Sequence, residues 1–144
     1  RVLRRPLSPL AAQPAPAPVV DAGTLLAMQA ALEGIEVEDS IGQYIVALVT
    51  ATREHPQVLV GASPRGSLAL LLLSRAIAAM AGRDYVVPED VKVVAGPALA
   101  HRITLHPEMW LRRIDPAAVV ADVLERTPAP ASGAMPTHAG LRGG

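Results

Sequence analysis

Cysteine and aromatic residues are almost missing from this chain. Its 144 residues include no Cys and no Phe, two Tyr and one Trp. Without Cys, the chain can form neither a disulfide framework nor a metal site built from thiolates. Much of the apolar content is alanine and leucine, which favour helix, whereas the aromatic residues that favour strands are scarce.

Net charge and long apolar runs are also missing. Thirteen basic and thirteen acidic residues cancel. A neutral chain is unlike most nucleic-acid-binding domains, which carry a basic face. No apolar run approaches the roughly 20 residues that span a bilayer. Residues 1–6 lack both an initiator Met and the apolar segment of a signal peptide. We therefore expect no nucleic-acid partner and no membrane partner, and a piece of a longer protein.

The common catalytic motifs are absent as well. Lys92 follows Val91 rather than Gly, so no phosphate-binding P-loop can form. The segment 61–65 resembles a nucleophile elbow, but its last glycine is replaced by Arg65, and Pro64 removes an N–H that an oxyanion hole would use. His101 and His106 lie five residues apart, whereas ligands on one helix face are four apart. No metal site is predicted, and this chain alone should have no enzymatic activity.

Proline divides the chain into three parts. Residues 6–18 contain five prolines among alanines, so residues 1–20 are predicted to be an extended linker. Residues 128–144 are rich in Pro, Gly and Ala and are predicted to be a disordered tail. The folded domain is therefore expected to cover residues 21–127.

Helical patterns fill this middle part and predict a small all-α bundle of four to five helices. The third helix, from Ser63 to about Ala81, is rich in leucine and is expected to be central, with Leu72 in the core. Gly96-Pro97 is expected to break or kink the fourth helix. The second helix, after Asp39, has the clearest 3.6-residue period, which predicts these buried residues: Ile41, Tyr44, Ile45, Leu48, Val49 and Thr52.

The start of the third helix is the candidate functional site. Ser63 is suited to cap the helix through its hydroxyl, and Pro64 suits the first helical position. Arg65 lies in the first turn, where the helix dipole disfavours a cation. Free N–H groups, the dipole and a guanidinium at one place would attract a phosphate. A solvent-facing arginine that merely tolerates this position is the alternative.

Three sequence blocks resemble the C-terminal lid of the MoxR-type AAA+ ATPases. They are Gly61-Ala62-Ser63-Pro64-Arg65-Gly66, then the block from Ala81 to Val91, and Leu99-Ala100-His101-Arg102-Ile103. The resemblance covers about residues 20–127 and implies that Arg65 is the sensor-2 residue, which reaches the phosphates of ATP beside Ser63 and Pro64. It also implies Mg-ATP as cofactor in the intact protein, cytoplasmic location and chaperone-like work.

The implied partners are an ATPase core absent from this chain, neighbouring subunits of a hexamer, and proteins with von Willebrand A domains. A proline-rich stretch longer than the family needs leaves the connection to that core open. The alternative function is a small helical protein-interaction module without a nucleotide role. A helix-turn-helix DNA-binding protein is a third possibility, against which the neutral charge and the single lysine argue.

Overall fold

Helices dominate the part of the chain that the computed structural model describes, residues 17–131. The all-α prediction is confirmed, and α5 is a short helix that the sequence patterns did not indicate. The predicted linker up to residue 16 and the predicted tail from residue 132 lie outside the described residues. The elements of residues 17–131 are α1 (Ala22–Glu33), α2 (Asp39–Glu54), β1 (Val58–Val60), α3 (Pro64–Met80), α4 (Pro88–Leu99), a 3₁₀ turn (Ala100–Arg102), β2 (Thr104–Leu105), α5 (Pro107–Leu111) and α6 (Pro116–Arg126).

The core lies between α2, α3, α4 and α6, with α4 in the middle. Helix α4 packs against the other three, most extensively against α3. Its Val91 and Leu99 are fully buried. The predicted apolar face of α2 is confirmed, because all six of its expected core residues are buried. The position expected for α3 is therefore taken by α4, whose small and branched residues allow close approach on several sides.

Helix α3 is buried on one side only. Leu70 is 0 % exposed, whereas Leu72 is 57 % exposed. The prediction that Leu72 lies in the core is wrong. Residues two apart point about 200° apart around an α-helix, so Leu70 and Leu72 cannot both face the core. A run of leucines indicates an apolar helix but does not indicate which side is buried.

Helix α4 continues through Pro97 to Leu99, so the chain does not break at Gly96-Pro97, and the kink that was the other form of this expectation stays a prediction. A proline inside a helix removes the hydrogen bond to the carbonyl four residues earlier, here that of Val93. Pro97 and Val93 both lie on the exposed side of α4. Water can therefore solvate the freed carbonyl, while the buried side of the helix keeps its packing.

Two backbone pairings connect the loops between helices. Strand β1 pairs antiparallel with β2, which places Val58 opposite Leu105. In the second pairing, the N–H of Glu36 donates to the carbonyl of Asp84 at 2.7 Å, and the N–H of Val86 donates to the carbonyl of Glu36 at 3.0 Å. Residues 58–60 and 104–105 thus form a minimal two-stranded sheet.

Candidate anion-binding turn at the start of helix α3

The turn from Ser63 to Arg65 begins α3, as expected, with Ser63 at the N-cap and Pro64 at the first helical position. The hydroxyl of Ser63 makes no capping hydrogen bond, so the prediction of a side-chain cap is wrong. The backbone takes over part of that role, because the N–H of Gly66 donates to the carbonyl of Ser63 at 2.7 Å. The first turn is therefore tightened by its own backbone.

Arg65 is exposed at the second position of α3. Within residues 17–131, neither its guanidinium nor its backbone N–H has a hydrogen-bond partner. The positive end of the helix dipole lies at the same place. A guanidinium beside the open N–H of the same residue can bind an oxyanion through charge-assisted hydrogen bonds. The chemistry predicted for this turn is therefore available, and Ser63 and Pro64 are exposed beside it.

Exposed apolar side chains continue along α3 from Arg65. Leu68 is 59 % exposed and Leu72 is 57 % exposed. The three residues are spaced three and four apart, which places them on one side of the helix. On α1, Leu25 and Met28 are also partly exposed, but they line an apolar pocket with Ala76, Ala79 and Met80 at the far end of α3. We call Leu68 and Leu72 the leucine surface.

Side chains in the last turn of α2 hydrogen-bond the backbone of Ala62, the residue directly before Ser63. The N–H of Ala62 donates to Thr52 Oγ1 at 3.0 Å, and the carbonyl of Ala62 accepts from Arg53 Nε at 2.8 Å. Thr52 Oγ1 in turn donates to the carbonyl of Val49 at 2.7 Å. Both polar backbone groups of Ala62 are thus bound by neighbouring side chains of α2. We call Thr52, Arg53 and Ala62 the α2 clamp.

Two glycines allow the chain to fit closely around the α2 clamp. A Cβ added to Gly61 would lie 2.5–2.7 Å from atoms of Arg53, including its backbone N and Cα. A Cβ added to Gly66 would lie 3.1 Å from Leu99 Cδ2 and 3.3 Å from Ala62 Cβ. The segment 61–66 is therefore held between α2 and the end of α4.

The block from Ala81 to Val91 contains a second polar cluster, between α3 and α4. Arg83 donates to both carboxylate oxygens of Asp90, at 2.8 and 2.6 Å, and to the carbonyl of Tyr85 at 3.0 Å. Asp90 also accepts from the N–H of Val87 at 2.9 Å. Burial raises the pKa of Asp90, but these hydrogen bonds outweigh it and lower its pKa below the usual 3.8. No pattern in the sequence predicted this pairing.

Within residues 17–131, His55 at the end of α2 contacts α6 rather than a set of possible ligands. His55 is buried, and its Nε2 lies 2.9 Å from Asp122 Oδ2. Its Nδ1 accepts the N–H of Gln57 at 3.2 Å, so the proton lies on Nε2 and is donated to Asp122. The hydrogen bond from His55, together with that from Arg126, lowers the pKa of Asp122. His55 thus joins the end of α2 to α6.

Among residues 17–131, no group of three or more His, Asp or Glu side chains could hold a metal ion. No helix in that part of the chain is both long and apolar enough to cross a membrane.

Comparison with known proteins identifies the class of this domain. The model of the family described as the AAA lid domain matches residues 50–123, which is half of the chain and includes the α2 clamp and Arg65. The chain therefore belongs to the AAA lid domain family.

Two of the similar proteins carry the name MoxR, and a third, YeaC, shows similar identity. Chaperone MoxR1 of Mycobacterium tuberculosis is 34 % identical over 127 residues, which cover 82 % of this chain and 34 % of that protein. Protein MoxR of Methylorubrum extorquens is 37 % identical over 113 residues, 67 % of this chain and 32 % of that protein. YeaC of Bacillus subtilis is 38 % identical over 113 residues, 78 % of this chain and 35 % of YeaC.

A solved structure agrees with this assignment. The crystal structure of a candidate ATPase from Cytophaga hutchinsonii is similar with a TM-score of 0.72 and 31 % identity, over 75 % of this chain and 36 % of that one. This domain is the lid of a MoxR-type AAA+ ATPase. The chain spans about a third of the length of the curated relatives that it matches.

Proposed function

We propose that this lid closes over ATP bound to an ATPase core and that Arg65 is its sensor-2 residue. The observation that carries the proposal is the geometry of Arg65, an exposed guanidinium at the N-terminus of α3 with no partner in residues 17–131. An arginine there is opposed by the helix dipole unless an anion is present. A bound phosphate would convert that unfavourable placement into a favourable one.

The leucine surface supports the presence of a second domain beside Arg65. Leu68 and Leu72 are more than half exposed on the side of α3 that carries Arg65. Apolar patches that remain exposed in a folded domain often mark a contact with another protein surface. The matched relatives are about three times as long as the matched region, which leaves room for a core domain. The proposed nucleotide therefore lies between that core and the first turn of α3.

The chemistry at this place is electrostatic. In phosphoryl transfer, charge develops on the γ-phosphate oxygens and the leaving group, and arginines and Mg²⁺ stabilise it. Arg65 would donate hydrogen bonds to those oxygens from a position that the fold has already fixed, so little reorganisation is needed during the reaction. Mg-ATP would be held by the core, because residues 17–131 contain no cluster suited to the metal.

The wider function follows from the same proposal. The lid would move with the nucleotide state as a nearly rigid unit, in a cytoplasmic hexamer whose chaperone-like work acts on proteins with von Willebrand A domains. The name of the mycobacterial relative, Chaperone MoxR1, supports the chaperone-like part. This chain alone is expected to hydrolyse no ATP.

The test replaces Arg65 in the longer ATPase that we propose carries this lid. Arg65→Ala should lower ATP turnover by about tenfold to a thousandfold, which reaches the lower end of the roughly 10³–10⁵ known for arginine fingers at phosphoryl-transfer sites. In the 144-residue chain, the same change should alter the free energy of unfolding by no more than about 0.5 kcal/mol, as is usual for exposed positions. Arg112→Ala, at another exposed arginine, is the matched control and should leave turnover unchanged.

Two outcomes would contradict the proposal. If Arg65→Ala destabilises the chain strongly, the arginine is structural. If the longer protein retains its full turnover, the alternative of a protein-interaction module gains. That alternative has its own support in an open groove of about 990 Å³ along α2, lined by Val46, Leu71 and Arg75 among others, which does not include Arg65.

A further inference from the structure

The turn that carries Arg65 lacks a cap of its own. Helix α6 also begins with a proline, and there Asp115 Oδ1 accepts the N–H of Ala117 at 2.8 Å. At α3 the hydroxyl of Ser63 makes no such bond. Besides the backbone hydrogen bond from Gly66 to Ser63, the geometry of this helix start therefore depends on contacts outside the turn, and the α2 clamp supplies them.

We propose that Thr52 and Arg53 are positioning residues for Arg65. This inference rests on the proposed function of Arg65 as the sensor-2 residue. The polarity of the clamp is fixed: the hydroxyl proton of Thr52 is donated to the carbonyl of Val49, so its oxygen is left to accept the N–H of Ala62. Thr52 and Ala62 are both 0 % exposed, so water cannot replace either partner.

The position of Ala62 determines that of Arg65 because little freedom remains between them. Bonds to both the N–H and the carbonyl of Ala62 fix the two peptide planes that flank this residue. Ser63 is extended, and the ring of Pro64 restricts its φ angle to about −65°. Gly66, directly after Arg65, packs against Leu99 and Ala62. The Cα of Arg65 is thus held from both sides.

A buried hydroxyl stabilises the fold less than an apolar group of the same size would, unless all its hydrogen bonds are made. A buried donor or acceptor without a partner costs free energy. Valine has the shape of threonine and would pack equally well, but it cannot accept the N–H of Ala62. The hydroxyl therefore determines where the turn lies, in addition to filling the core. Misplacement of a catalytic contact by about 1 Å can cost about a hundredfold in rate.

The experiment measures kcat and KM for ATP in the longer ATPase, for each variant alone and in the Arg65→Ala background. Thr52→Val should lower kcat by about tenfold and change KM much less, because the contact that is lost forms in the transition state. Thr52→Ser, which keeps the hydroxyl, should restore kcat to within about twofold of the unmodified protein. In the Arg65→Ala background, Thr52→Val should lower kcat no further, because Thr52 acts through Arg65.

Thr127 provides the matched control. Its hydroxyl donates to the carbonyl of Val123 at 2.8 Å at the end of α6, as that of Thr52 does to Val49, but it binds no second segment among residues 17–131. Thr127→Val should therefore leave kcat unchanged. If Thr52→Val does not fold, Arg53→Met replaces it under the same criteria, because Arg53 is exposed and its loss leaves the core intact.

A second measurement does not depend on ATP hydrolysis. Amide hydrogen exchange of Ala62 in the 144-residue chain should be at least about tenfold faster in Thr52→Val, whereas the amide of Leu48 should keep its exchange rate. Unchanged exchange at Ala62 would overturn the clamp. If Thr52→Val keeps a normal kcat while Arg65→Ala lowers it, the positioning role is overturned. The role is also overturned if Thr52→Val lowers kcat in the Arg65→Ala background by the same factor as in the unmodified protein. A normal kcat for Arg65→Ala would instead refute the proposed function, while the exchange result would still report on the clamp.

Discussion

Two leucines on α3 offer a direct test of which side of the helix is buried. Leu70 is 0 % exposed and Leu72 is 57 % exposed, although only one residue separates them. Replacing each by alanine removes the same atoms from the same helix and leaves helix propensity almost unchanged. Any difference between the two variants therefore reports burial alone.

The magnitudes follow from the two environments. Leu70→Ala removes buried atoms and leaves a cavity, which typically costs 2.7–5.0 kcal/mol in comparable substitutions, so we expect about 3 kcal/mol. Full burial of a leucine side chain contributes about 1.5–3 kcal/mol, of which Leu72 realises less than half and leaves no closed cavity. Leu72→Ala should therefore cost less than about 1 kcal/mol.

Urea denaturation of the 144-residue chain, followed by circular dichroism, measures both losses. The slope of the transition should stay the same for the two variants, so that the midpoints compare directly. Equal losses, or a larger loss for Leu72→Ala, would mean that α3 is rotated relative to the structure and that the leucine surface beside Arg65 does not exist.

Three further predictions concern the polar contacts and the glycines. The pKa of Asp90 is lower in the folded chain than the usual 3.8, so its stabilising effect is present at neutral pH and is lost as the pH falls through 3.8 and below. Asp90→Asn should cost about 2 kcal/mol at pH 7 and flatten this acid-side loss in pH-dependent unfolding; an unchanged pH profile would contradict the pairing. Gly61→Ala should cost about 1–3 kcal/mol because its Cβ would meet the backbone of α2, whereas Gly96→Ala, with open space around it, should stabilise the chain by about 0.5–1 kcal/mol in the same denaturation assay. Asp115→Ala should cost about 1 kcal/mol through loss of the cap of α6, and Ser63→Ala, which loses no cap, should cost much less; equal thermal shifts would refute the difference.

Local signals in the sequence were sufficient for most of the helical framework. The 3.6-residue period after Asp39 predicted every buried residue of α2. The start of α3 at Pro64 was predicted as well, because capping and proline act within one turn. The short helix α5 escaped prediction because five residues are too few for a periodic pattern.

Some residues of the candidate site could likewise be predicted from the sequence, and others could not. Its residues Ser63, Pro64 and Arg65 could be selected from the sequence, because helix-start chemistry is written in adjacent residues. The α2 clamp could not, since Thr52 lies ten residues before Ala62 and nothing in the α2 pattern distinguishes its buried hydroxyl from a buried methyl group.

The amino-acid sequence by itself determined the helical class, the register of α2 and the position of Arg65 at a helix start, all of which depend on neighbours within a few residues. Only the tertiary structure decided that α4 rather than α3 is central, that Leu72 faces outward, and that Arg83 binds Asp90. Those outcomes depend on which apolar helix faces pack against each other. Helix α3 is apolar nearly all around, so its own sequence does not determine which side is buried. The place of Arg65 in the lid is likewise determined by hydrogen bonds from α2 to Ala62.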